Sequence, residues 1–171
     1  MSALARYFLS EGWKVSGSDI FPSSITAELK KEGIAVYIGK QSANNVRRSG
    51  AMLIVYNNAI QQDNQELITA EKLGVAIRSY PEMIGELTKK YKTVAIAGSH
   101  GKSTTTAMTA LILMEAGFDP TVIIGTKLKE LGGKNFRKGE GGWLVLEADE
   151  WKAAFLNYPP YVATITNIDK E

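Results

Sequence analysis

Gly98-Ser99-His100-Gly101-Lys102-Ser103-Thr104 is the stretch of this chain best equipped for chemistry. Glycines let backbone N–H groups approach an anion, the lysine can reach terminal phosphates, and the following hydroxyl can ligate Mg²⁺. The loop is shorter than the common form, because Ile96 stands where a glycine usually precedes the lysine by six residues. Gly98, Ser99, His100, Gly101, Lys102, Ser103 and Thr104 are therefore the candidates for holding a nucleotide's phosphates. A phosphate loop also needs a metal-holding acid at the end of a neighbouring strand, and Leu144-Val145-Leu146-Glu147 supplies one. Lys102 and Glu147 are the candidate catalytic residues, and Ser103 and Glu147 the candidate Mg²⁺ ligands. Asp149 and Glu150 follow closely, and three adjacent acids repel unless a cation sits among them. Asn167 follows the last strand at the same rim, placed either to meet nucleotide or to cap. His100 could face substrate or serve packing. Lys134, Arg137 and Lys138 lie in a glycine-rich stretch that suits a solvated loop better than an anion site.

These residues need a scaffold, and the pattern supplies an α/β one. Residues 92–96 read as a strand into the loop, and the helix beyond it runs to Ala116 with Met108, Leu111, Ile112 and Glu115 at helical spacing. Strands are expected at 120–124, 143–147 and 161–166, with a long loop over 127–142. Earlier in the chain, helices are expected at 2–12, from Ser23 or Ser24 to 31, from an Asp63 cap to 73, and from Pro81 to about 91. Strands are expected at 13–19, 34–38, 51–56 and 75–78. The 51–56 strand is apolar throughout, as in a sheet covered on both faces. Such alternation predicts parallel sheets with crossover helices. The chain opens inside a helix where such sheets usually open with a strand and glycine loop, so either a first strand is missing and Met1 need not be a true start, or the domain simply begins with a helix. With a linker at 86–92, the expected domains are 1–90, a Rossmann-like sheet, and 91–171, a partial P-loop unit.

Composition narrows the function classes. A net charge of +2 gives no strong field for nucleic acid. No cysteine is present, which removes disulfides and thiolate chemistry and fits a reducing, cytoplasmic setting. His100 is the single histidine, so a Ser-His-Asp triad or a multi-histidine metal site is not expected. No apolar run is long enough for a bilayer, and residues 1–12 lack the apolar core of a signal peptide.

The loop resembles the ATP loop of the Mur ligases, GTxGKTT, with serine at positions 99 and 103 where threonine is usual. A histidine at the variable position is similar to the muramate–alanine branch. Glu147-Ala148-Asp149-Glu150 resembles the family's EADE segment, and Thr166-Asn167-Ile168 its TNI. Trp151-Lys152 departs from the Ser-Asp that commonly follows EADE. Residues 15–19, ending in Asp19, and 56–60, with Asn57-Asn58 in place of a serine pair, resemble the family's UDP-sugar domain. Asn135-Phe136-Arg137 resembles its NAR segment. The resemblance implies ATP and Mg²⁺ as cofactors, substrate contacts from Asp19, Asn57, Asn135 and Arg137, and nucleotide contact from Asn167. It implies UDP-N-acetylmuramate and L-alanine as small-molecule substrates, joined through an acyl phosphate in cytoplasmic peptidoglycan precursor synthesis. As a part of such an enzyme, the chain is expected not to turn over alone.

Other readings stay open at this point. A relative adding a tripeptide, or acting on folate, carries the same motifs. A P-loop switch lacks its guanine-reading NKxD here, and a Rossmann binding module lacks G-x-G-x-x-G.

Overall fold

The computed structural model describes residues 1–149 and 151–169, those of Trp151 and Lys152 by backbone alone. The chain divides into two compact units, Met1–Tyr80 and Pro81–Glu171. The division falls ten residues before the boundary expected at 90. Helix α5 (Tyr80–Thr88) is the reason: Gly85 lies against the carbonyl of Asn157, so the helix packs with the later residues. The expected linker is therefore the end of a helix and the start of a strand.

In the first unit α1 (Ser2–Ser10), α2 (Ser24–Lys31), α3 (Ala43–Ser49) and α4 (Gln65–Lys72) alternate with β1 (Ser16–Asp19), β2 (Ala35–Ile38), β3 (Leu53–Tyr56) and β4 (Ala76–Ser79). β1 pairs with β2 and β3 with β4, both in parallel. The expected elements are present, with α3 added. Its sequence, Ala-Asn-Asn-Val-Arg-Arg-Ser, buries only Val46, so it shows no apolar period. β3 is half-buried along its length rather than covered on both faces. Ser23 caps α2 in a reciprocal box: its Oγ accepts from Thr26 N (3.1 Å), and its own N–H donates to Thr26 Oγ1 (2.8 Å). The cap of α4 is Asn64, not Asp63; its Oδ1 accepts from Glu66 N at 2.8 Å. Arg6, only 4% exposed, reaches Glu32 at 2.8 Å and Glu28 at 3.3 Å and ties α1 to α2.

The second unit is one five-stranded sheet in the order β7-β6-β8-β5-β9. Its strands are β5 (Lys92–Ala97), β6 (Thr121–Leu128), β7 (Lys134–Arg137), β8 (Trp143–Glu147) and β9 (Val162–Ile165), with α6 (Lys102–Glu115) joining β5 to β6. All pairings are parallel except β6 with β7. The stretch 127–142, expected as a loop, thus contains an edge strand. Gly132 and Gly133 take positive φ to make its turn, and Phe136 is buried where it pairs opposite Ile123. The core gathers Val94, Ile96, Val122, Ile124, Val145 and Leu131 from the sheet side with Ala110 from α6. Met108 and Ile112, which marked the helix by spacing, are exposed; Thr106 and Ala110 face inward instead. β5 lies between β8 and β9, so residues at the C-terminal ends of all three strands meet on one rim, the place where α/β sheets bind ligands.

Candidate functional site

β5 ends at Ala97 and the chain turns through Gly98, at φ +131, to Gly101, at φ +79, which precedes α6. A Cβ on Gly98 would overlap Thr166 Oγ1 and come within 3.0 Å of the Asn167 carbonyl oxygen. The position demands glycine for space and for backbone angle together. The amides that follow open the N-terminus of α6, where unsatisfied N–H groups and the helix dipole favour an anion. Lys102 folds back over the loop, its Nζ donating to the carbonyls of Gly98 (2.6 Å) and Ser99 (3.3 Å). Thr104 is exposed on the first turn.

The residues after β9 clamp this loop. Asn167 Oδ1 accepts from His100 N at 2.9 Å, and its Nδ2 donates to the His100 carbonyl at 3.0 Å. Thr166 Oγ1 donates to the same carbonyl at 2.6 Å, and Asp169 N donates to Ser99 Oγ at 3.1 Å. Of the two roles open to Asn167, the capping of the loop is visible. His100 presents an exposed ring, with Nε2 3.5 Å from the Asp169 carboxylate. Thr166 was marked in the sequence only as part of the TNI resemblance and Asp169 not at all, because their partners lie 66 and 70 residues away in the chain.

On the other side of β5, Glu147 closes β8. Ser103 Oγ donates to its Oε1 at 2.9 Å, and the main-chain N–H of Gly125 donates to its Oε2 at 2.7 Å. The acid and the hydroxyl picked from motifs 44 residues apart are thus in direct contact. Among the described residues no three His, Cys, Asp or Glu side chains form a group that could hold a metal ion. The main-chain N–H of buried Ala148 donates to Ile96 O at 2.8 Å, Asp149 is exposed beyond it, and Glu150 lies outside the described residues.

Asn135 and Arg137 do not join this rim as a pair. Arg137 is paired with Val122 near the N-terminal end of β6, and its guanidinium donates to Pro120 O (2.8 Å) and Asp119 Oδ1 (2.5 Å). It fastens the edge strand to the end of the sheet opposite the loop. The carboxyl of Asp119 is held below its ordinary range by the N–H of Glu140 and by Arg137. Asn135 lies two residues nearer the rim, beside a register shift in the β6–β7 pairing.

Asp19 and Asn57 sit separately in the first unit, each just beyond or at the end of its strand. Asp19 Oδ1 accepts from Phe21 N (3.2 Å), and Asn57 Oδ1 from Ala59 N (2.9 Å). Both line one cleft of about 660 Å³. A polar network also lines it: Ser18 Oγ and Asn45 Nδ2 each donate to Glu66 at 2.7 Å. Sequence reasoning missed Glu66 and Asn45. The acidic first turn after the Asn64 cap was the available signal.

A family model described as "Mur ligase family, catalytic domain" matches residues 1–92. The chain is 42% identical over its full length to the UDP-N-acetylmuramate–L-alanine ligase of Carboxydothermus hydrogenoformans and 46% to that of Aquifex aeolicus. It spans 36% and 37% of those relatives' lengths. It superposes on the crystal structure of UDP-N-acetylmuramate–alanine ligase from Thermotoga maritima with a TM-score of 0.92 at 34% identity, covering all of this chain and 39% of that one. A Neisseria ligase for UDP-N-acetylmuramate and L-alanyl-γ-D-glutamyl-meso-diaminopimelate gives 0.91 at 26% identity, over all of this chain and 58% of that one. The family model ends before the glycine loop, and the full-length matches carry the similarity through it. The chain belongs to the Mur ligase family.

Proposed function

We propose that this chain carries the ATP-phosphate loop and part of the sugar-nucleotide side of an enzyme that joins L-alanine to UDP-N-acetylmuramate. The 2.9 Å contact between Ser103 Oγ and Glu147 Oε1, beside the loop, carries the reading. It also passes a test of fit for Mg²⁺. Two cis ligands held about 2.0–2.1 Å from an octahedral Mg²⁺ lie about 2.9 Å apart, and hydroxyl and carboxylate are the hard oxygen donors this ion prefers. One carboxylate and one hydroxyl suffice, since Mg²⁺ in phosphate sites keeps waters and phosphate oxygens as its other ligands. When bound, the ion would neutralise charge on the β- and γ-phosphates.

The chain's own groups do the rest by positioning. The N–H groups of the loop and the first turn of α6 hold the phosphate tail. Lys102 exchanges the two loop carbonyls for phosphoryl oxygens and offsets charge on the group in transfer. The substrate carboxylate attacks the γ-phosphorus and ADP leaves; the alanine amine then attacks the acyl phosphate carbon and phosphate leaves. Holding the reactants in line is the main contribution such a site makes. Asp19 and Asn57 support a substrate site in the first unit because they share one cleft. Among the solved structures, identity favours alanine over the tripeptide as the added group, at 34% against 26%. The reaction belongs to a cytoplasmic stage of peptidoglycan precursor synthesis; among the described residues no helix is long and apolar enough to cross a membrane.

In an enzyme of the relatives' length carrying these residues, ADP release is expected to require both UDP-N-acetylmuramate and L-alanine. Lys102→Ala should lower that rate at least ~100-fold, in the range of a lost transition-state charge contact. Turnover at the parent rate in Lys102→Ala, or release driven by a tripeptide and not by L-alanine, would overturn the assignment.

A further inference from the structure

We infer that Gly125 is a positioning residue for the Glu147 carboxylate, and that its missing side chain is what lets that carboxylate stand beside Ser103. The inference rests on the reading of Glu147 as the metal-facing acid. β6 keeps register with β8 only from Thr121, opposite Leu144, to Ile123, opposite Leu146, and then runs on past the end of β8. Beyond that point the N–H of Gly125 donates to a side chain, Glu147 Oε2, at 2.7 Å. The other oxygen accepts from Ser103 Oγ at 2.9 Å. Two donors from two elements, β6 and α6, therefore fix the carboxylate at both ends and set its rotation. A carboxylate held from one side only would turn freely about its terminal torsion.

A Cβ at position 125 would lie 3.0 Å from Oε2 and 3.3 Å from both Cδ and Oε1. Ordinary van der Waals contact for such atoms is wider, so alanine at this position pushes the carboxylate by a few tenths of an ångström. Gly125 is not among the glycines with positive φ. An alanine keeps the backbone unstrained here, and the three atoms nearest its Cβ all belong to the acid. A glycine inside a strand often marks such a close approach. Displacing Oε1 from its place beside Ser103 spoils the pair of cis oxygens that suits Mg²⁺, while the loop amides and Lys102 keep their hold on phosphate.

The test uses the 171-residue chain and two readouts. The first needs no nucleotide: exchange of the Gly125 amide hydrogen, followed by NMR, is expected to quicken about tenfold in Glu147→Ala relative to the parent. The second compares ATP affinity in Mg²⁺ with affinity in EDTA for Gly125→Ala and Gly125→Val. Alanine should weaken binding about tenfold in Mg²⁺ and change it less than twofold in EDTA, and valine should widen the gap. An unchanged exchange rate in Glu147→Ala, or equal losses with and without Mg²⁺, would overturn the assignment. A chain that binds ATP in neither condition refutes the phosphate-loop reading, and the exchange measurement then decides the role of Gly125 by itself.

Discussion

Replacing Gly98 by alanine tests the geometry of the loop most directly. Three consequences can be worked from the structure. The backbone sits at φ +131, a region that L-residues rarely enter and that costs of order 1–3 kcal/mol. The new Cβ overlaps the Thr166 hydroxyl, which donates to His100 O at 2.6 Å and approaches Ala97 O at 3.3 Å. Swinging that hydroxyl aside removes one firm hydrogen bond, worth about 1 kcal/mol net. The Cβ also presses on the Asn167 main chain, whose carbonyl accepts from Ser99 N at 3.3 Å. Together these come to about 2–4 kcal/mol. The loop can relieve the strain by shifting, so the cost should appear mainly as lost phosphate affinity, about 30- to 1,000-fold. Titration of a fluorescent ATP analogue measures this, with thermal denaturation run alongside to detect unfolding. The double variant Gly98→Ala/Thr166→Ala removes the overlapped hydroxyl and should recover part of the affinity. Binding by Gly98→Ala within twofold of the parent would refute the claim that β9 and the loop are fitted to each other through this glycine.

Arg6→Ala should destabilise the first unit by about 2–3 kcal/mol. It removes the guanidinium from Glu32 and Glu28, and their partial exposure keeps the cost below that of a fully buried pair; urea denaturation that shows no change would rule out an energetic role for the buried guanidinium. Asp119 carries a depressed carboxyl pKa in the folded chain, so its contribution is complete above the unfolded value and is lost as pH falls through the folded one, below about pH 4. The stability difference between the parent and Asp119→Asn should therefore be present at neutral pH and shrink on acidification. Asparagine tolerates the φ of +44 found at this position, which keeps the backbone out of the comparison.

Much of the site was written in one dimension. The glycine loop is a local motif, with its glycines, lysine and hydroxyl close together in sequence. Glu147 was legible because four apolar residues bury its strand and deliver the acid at the strand's end. What could not be read were contacts between distant segments. Gly125 looks like any strand glycine until the ends of β6 and β8 are brought level. Thr166, Asn167 and Asp169 become a clamp only once β9 pairs with β5. Arg137 carried the right charge for an anion site, yet antiparallel pairing sent it to the far end of the sheet, against Asp119. Met108 and Ile112 show the same limit within one helix, since period identifies a helix but the sheet decides which stripe is covered. Local chemistry marked which groups are the candidates for phosphate and metal. Strand order and register, which depend on packing between residues far apart in the chain, decided which of those groups meet.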